Sequence, residues 1–254
     1  YPELPVNIRL LVLMENKLSK WQCNHTIYFP YLFYIDLSHN KINYLGHKEF
    51  LNTPILRYLN LASNFIFTLT FGTFIGLRYL MQLNLKGNII THLSFNSFKS
   101  LRSLEKLHLN HLKLKYLADG AFSSLIHLLV LDLSKNSIER FSRYTFIGLQ
   151  NIVILNVSFI RKLIYIDLEA FSFLETLLIL YTDRNDVCCF AMGSSRCALS
   201  GLDKCIDCTT LLKSHQTKIQ IIVCTVIIFT FNSIIIFHNI KRSFENTNKL
   251  FRLI

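Results

Sequence analysis

The vocabulary of catalysis is missing from this chain of 254 residues. Its 9 histidines are scattered, with no His-Glu-x-x-His or His-x-His arrangement to hold a metal, and no glycine-rich phosphate loop is present. No ordered set of nucleophile, base and acid stands out either. Neither an enzyme, a cofactor nor a metal is expected. Charge is also scarce: 17% of residues are charged against 51% hydrophobic, too apolar for an ordinary soluble protein unless part of it lies in a membrane. The balance of +11 contains no long basic run, so it reads as a solvated basic surface and nucleic-acid binding is not expected.

What is present is a period. Phe50, Phe74, Phe98, Phe122 and Phe146 recur every 24 residues, and Asn40, Asn64, Asn88 and Asn136 keep the same beat. Between them runs one template, clearest in Leu56-x-x-Leu59-x-Leu61-x-x-Asn64-x-Ile66-x-x-Leu69, followed by Phe74 and Leu77. Leucine-rich repeats have this pattern. The expected fold is therefore an α/β leucine-rich-repeat solenoid with a parallel sheet on its concave face. Copies run from Leu11-x-Leu13-x-x-Asn16-x-Leu18 to a degraded Leu177-x-x-Leu180-x-Thr182-x-x-Asn185. The leucines point inward, the Phe column fills the core, and the buried Asn column bonds the turn after each strand. Leu112 and Ile160 interrupt that column. No cysteine-rich cap precedes Leu11, and Tyr1-Pro2-Glu3-Leu4-Pro5 begins mid-repeat, so the chain is read as lacking its true N-terminus.

A second feature is the run 219–240, which holds no Asp, Glu, Lys or Arg. As a helix its length is about 33 Å, enough to cross a hydrocarbon core of about 30 Å. Lys241, Arg242, Lys249 and Arg252 follow it, a weak positive-inside bias. Sequons at Asn24 and Asn156, and cysteines at 188, 189, 197, 205 and 208, precede it. Glycans and crowded cysteines belong to an oxidising compartment. The repeats are expected outside the plasma membrane and the C-terminus in the cytoplasm. Adjacent Cys188 and Cys189 are not expected to bond each other, and Cys23 lies roughly 33 Å away at about 4.7 Å per strand. Zinc is not expected on these thiolates outside a cell.

The alternating strand positions supply the binding candidates. They are Tyr34, Asp36 and Ser38; Tyr58 and Asn60; Gln82, Asn84 and Lys86; Lys106 and His108; Asp132 and Ser134; Ile154 and Asn156. Such a strip mixes aromatic, amide and charged groups and suits a folded peptide. Asp36, Glu105 and Asp132 are its acidic candidates. Polar Asn232 lies in the middle of the expected span, where an amide is costly unless bonded, as by self-association of the helix.

Leu10-Leu11-Val12-Leu13-Met14-x-Asn16-x-Leu18, then Cys23, Pro30-x-Leu32 and Asp36-Leu37, resemble a middle repeat pair of the relaxin receptors, leucine-rich-repeat G-protein-coupled receptors. Cys188-x8-Cys197 with Leu211-Leu212 resembles that family's hinge, and Phe231-Asn232-Ser233-Ile234-Ile235-Ile236 its first transmembrane helix, with Phe231 in place of glycine, which implies that Asn232 is the packing anchor between that helix and its neighbours. Ser243 through Asn248-Lys249-Leu250 is similar to the first intracellular loop. The resemblance implies repeats over 1–187, a cysteine-rich hinge over 188–218, a span over 219–240, and over 241–254 a cytoplasmic loop entering a second helix. It also implies a cell-surface receptor for a relaxin- or insulin-like peptide hormone, coupled to a heterotrimeric G protein through helices this sequence does not include. In that family paired carboxylates clasp hormone arginines; here Asp36 keeps one such place while Ser38, Gln82 and Asn84 stand at the others. A single-pass repeat protein for adhesion or innate recognition, or a decoy receptor, is the alternative.

Overall fold

The computed structural model describes residues 7–21, 28–95, 97–167, 169–191 and 196–199, without the side chains of 185, 189, 190 and 196–199. All of them belong to one compact unit, Tyr1–Cys205. The expected span 219–240 with Asn232, the segment 241–254, and Cys23, Asn24, Cys205 and Cys208 lie outside the described residues. No helix among the described residues is long and apolar enough to cross a membrane.

Short strands are laid side by side in chain order. They are β1 (Leu10–Val12), β2 (Tyr34–Asp36), β3 (Tyr58–Asn60), β4 (Gln82–Asn84), β5 (His92–Leu93), β6 (Lys106–His108), β7 (Tyr116–Leu117), β8 (Val130–Asp132), β9 (Arg140–Phe141), β10 (Ile154–Asn156), β11 (Tyr165–Ile166), β12 (Ile179–Thr182) and β13 (Arg196–Leu199). Nine of them form one parallel sheet in the order β1-β2-β3-β4-β6-β8-β10-β12-β13. The register is the sequence period itself: Leu59 pairs with Leu83 and Leu83 with Leu107. The last strand, β13, pairs with β12 inside the segment read as a hinge.

Behind the sheet the Phe column is fully buried and stacks, with ring centroids 6.2 Å apart for both Phe74–Phe98 and Phe98–Phe122. Trp21 continues the column by lying 6.0 Å from Phe50. The Asn column forms the ladder that the sequence predicts. Asn64 donates to the carbonyls of Leu37 and Leu61 (2.9 and 3.1 Å), and its Oδ1 accepts from the Ile42 N–H at 3.0 Å. Leu112 and Ile160 occupy their rungs buried but without an amide.

Just before each rung the backbone turns left-handed. Glu15, His39, Ser63, Gly87, His111, Lys135 and Phe159 all have positive φ. Only one of the seven is glycine, although an L-residue there costs about 1–2 kcal/mol. The compensation is visible, because the N–H at this position carries the ladder past the strand end, as in Ser63 to Lys86 O and Lys135 to Ser158 O.

The α/β expectation needs correction. The only helix among the described residues is α1, Asn185–Phe190, and the return paths are chains of turns. Leu77 N–H bonds Phe74 O and Leu80 N–H bonds Leu77 O, a pattern repeated at Phe98-Leu101-Leu104 and Phe122-Leu125-Leu128. The buried residues are spaced by three, which matches i→i+3 turns and not the 3.6-residue α-helix. Buried hydroxyls at Thr73, Ser97 and Thr145 start these returns by accepting from the N–H groups of Thr70, Ser94 and Ser142. The fold is a parallel-sheet β-solenoid. Asn185 in the last repeat opens α1 rather than a further turn of this kind.

Candidate binding face

Alternation along each strand sends one set of side chains into the core and the other to the open face of the sheet. On that face two rows cross the strands. The first row is Tyr34, Tyr58, Gln82, Lys106, Val130, Ile154 and Ile179. The second is Asp36, Asn60, Asn84, His108, Asp132, Asn156 and Tyr181. Both rows therefore gather the candidates Tyr34, Tyr58, Gln82, Asp36, Asn84, His108 and Asp132. Glu105 does not join them: it precedes β6 in the phase of buried Leu107.

Tyr34 and Tyr58 are tilted neighbours with ring centroids 6.3 Å apart, and Tyr58 is exposed. Beside them Asp36 is buried and fully engaged. Its Oδ1 accepts from the N–H and hydroxyl of Ser38 (2.9 and 2.6 Å), and its Oδ2 from Asn60 Nδ2 and the Tyr34 hydroxyl (3.0 and 3.3 Å). Burial alone pushes the Asp36 carboxyl up, but these four hydrogen bonds together hold it below its ordinary value. Burial next to the charge of Asp36 pushes the Tyr34 phenol up. A carboxylate so occupied ties β2 to β3; to clasp an incoming arginine it would have to give up those bonds.

The rest of the second row shows why. Asn60, Asn84, Asp132 and Asn156 each accept, through the side-chain oxygen, the N–H two residues on, at 3.2, 3.1, 2.9 and 3.1 Å. These Asx turns close each strand before the left-handed residue. His108 interrupts the column, half-buried between Asn84 and Asp132. Burial pushes its imidazole down, and Lys106 and Lys86 act in the same direction against Asp132. Next to it, the buried Oδ1 of Asn110 has no hydrogen-bond partner.

Sequence reasoning passed over the two ends of this face. Leu10 and Val12 of β1 are 57% and 55% exposed on the open side, and Tyr181 ends the second row exposed. The 25-residue step from Asn156 to Tyr181 hides the latter from a strict 24-residue count. Cys188 is disulfide-bonded. No group of His, Cys, Asp and Glu among the described residues could hold a metal ion.

The leucine-rich-repeat family profile matches residues 54–114 and 104–159. No curated protein matches the chain. Among solved structures, the crystal structure of the TLR13-ssRNA13 complex is similar at 26% identity and a TM-score of 0.54, over 68% of this chain and 30% of that one. The Toll–Spatzle complex of Drosophila is similar at 25% identity and a TM-score of 0.63, over 70% of this chain and 24% of that one. The match thus spans less than a third of either receptor's chain. Period, ladder and spine, with the profile over residues 54–159, give the chain a leucine-rich-repeat fold similar to that of these two Toll-type receptor structures.

Proposed function

We propose that this chain is ligand-binding repeat structure from a cell-surface receptor, and that a protein or peptide ligand lies across the open face of its sheet. The observation that carries the reading is the graded first row. An aromatic pair, Tyr34 and Tyr58, is followed by polar Gln82 and Lys106 and then by aliphatic Val130, Ile154 and Ile179. Aromatic anchors beside apolar patches, with polar groups between them, suit a folded polypeptide. The similar Toll structure is that of a complex with Spatzle, which supports a protein ligand for this chain.

The finer reading is a relaxin- or insulin-like hormone outside a plasma membrane crossed at 219–240, with a seven-helix part coupling to a G protein. It rests on the sequence resemblance. The occupied carboxylate of Asp36 weighs against an arginine clasp there and leaves Asp132 as the acid of the second row. Innate recognition is the second reading, and the likeness to Toll and to TLR13 favours it. Under either reading the chain is a binding protein and not an enzyme.

The test displays the chain on cells and measures binding of a relaxin-type peptide panel and of single-stranded RNA, with Tyr58→Ala as the variant. Truncating an aromatic anchor typically costs about 2 kcal/mol or more, roughly thirtyfold in affinity. Peptide binding lost in Tyr58→Ala at equal surface expression supports the reading. RNA binding alone, or peptide binding indifferent to Tyr58, overturns it.

A further inference from the structure

Beside the open face, at the left-handed turn after β10, the repeat pattern breaks twice. Ile160 stands where an amide rung belongs, and the Phe159 N–H bonds the side-chain oxygen of Asp183 at 2.7 Å instead of a backbone carbonyl. A recess of about 550 Å³ opens there, lined by Lys135, Asn136, Ser137, Phe159, Arg161 and Lys162. Its lining holds three cations and one aromatic ring, and the nearby Asp183 carboxylate is engaged by the Phe159 N–H. Lys135, Arg161 and Lys162 are exposed, and none of them is in an ion pair among the described residues. The Lys135 Nζ stands 5.6 Å from the centroid of Phe159, which is itself partly exposed by its positive φ turn.

The positive field extends along the same edge. After burial, the charges of Lys135 and Lys86 are what push the His111 imidazole down, so both lie within reach of it. Each exposed cation gains little from a single anion in water. A ligand carrying several linked anions gains from all of them and releases its counterions on binding. A nucleic acid held this way needs successive aromatic platforms for successive bases, whereas this recess offers one ring. Two ammonium groups and one guanidinium around a single apolar ring suit a sugar bearing anionic esters.

We propose that this recess binds a sulfated oligosaccharide, its sulfate esters on Lys135, Arg161 and Lys162 and one sugar ring against Phe159. The site is separate from the two rows of the open face and does not depend on what ligand those rows take. Binding of a short heparin oligosaccharide to the full chain is measured across salt concentrations, with the desulfated oligosaccharide and a single-stranded RNA of matched charge alongside. Joint Arg161→Ala and Lys162→Ala substitution is expected to weaken heparin binding about tenfold and to reduce the log–log salt slope by about two. Phe159→Ala weakens it with the slope unchanged. Lys17→Ala with Lys99→Ala, exposed cations in other repeats, removes equal charge and leaves binding intact. Equal loss in that control, retained binding of the desulfated sugar, or RNA bound more tightly through Phe159 each overturns the proposal.

Discussion

Asn60 on β3 donates from Nδ2 to Oδ2 of Asp36 on β2 at 3.0 Å, so a side-chain bond crosses between repeats on the open face. With Ser38 and Tyr34 it fills both oxygens of a buried carboxylate. Removing that acceptor leaves several donors unpaired, at about 1–3 kcal/mol. Asp36→Ala is therefore expected to lower the urea midpoint, while exposed Tyr58→Ala leaves it nearly unchanged.

The same carboxylate predicts a pH dependence. Its folded value lies below the ordinary aspartate value of 3.8. The stabilisation is thus complete above that pH and is lost as the pH falls through the lowered folded value. In acid titrations followed by circular dichroism, the stability difference between wild type and Asp36→Asn should shrink below pH 3.8. A difference that stays constant into stronger acid would remove the hydrogen-bonded carboxylate as its source.

Much of this fold is legible in the sequence alone, because a 24-residue period places Phe50 to Phe146 and Asn40 to Asn136 without knowledge of any contact. What is not legible depends on side chains that the period superimposes but does not distinguish. Asp36 reads as a free anion because its partner Asn60 is a neighbour only through the strand register. The second row reads as a ligand strip because an Asx turn and a ligand contact draw on the same residue types. The left-handed edge is hidden because six of its seven positions carry ordinary side chains, and only Gly87 signals the turn. The recess at Phe159 lies beside the rung that Ile160 leaves without an amide, and an absence fixes no geometry until the surrounding chain is placed.

Two glycines separate conformational cost from steric cost. Gly87 has φ +72, and a Cβ there meets nothing nearer than the Ser63 Oγ at 3.4 Å. Gly87→Ala should cost about 1 kcal/mol, the left-handed penalty alone. Gly148 has φ +93, and its Cβ would lie 2.5 Å from the Ser123 Cα, so backbone must shift. Gly148→Ala should lower the midpoint by clearly more, and equal losses in the two variants would contradict the close packing of neighbouring returns.

The broken ladder can be repaired. By the 22-residue offset that joins Asn64 to Ile42 and Asn88 to Ile66, an amide at 112 meets the Ile90 N–H. Leu112→Asn should then be neutral or stabilising by up to about 1 kcal/mol, whereas burying an unpaired amide costs more than that. Asn88→Leu, which removes three existing bonds, should destabilise. If both substitutions weaken the protein alike, the side chain of Leu112 outweighs the missing rung.

Asparagine in place of His108 makes the sharper case, because it joins a column whose other polar members are Asp36, Asn60, Asn84, Asp132 and Asn156. An asparagine oxygen there can accept the Asn110 N–H, as Asn84 accepts that of Lys86 at 3.1 Å. His108 itself is held below its ordinary value of 6.5, first by burial. A histidine depressed in the folded state contributes stability above its unfolded value, and that contribution is lost as the pH falls through the unfolded value towards the folded one. Wild-type protein should therefore weaken between about pH 7 and 5. His108→Asn should raise the midpoint at neutral pH and flatten that decline, leaving the part due to His111, which is depressed in the same direction. Thermal melts at pH 7.5 and 5.5 on both proteins decide the matter: an undiminished acid loss in His108→Asn would place the titrating group elsewhere on the sheet.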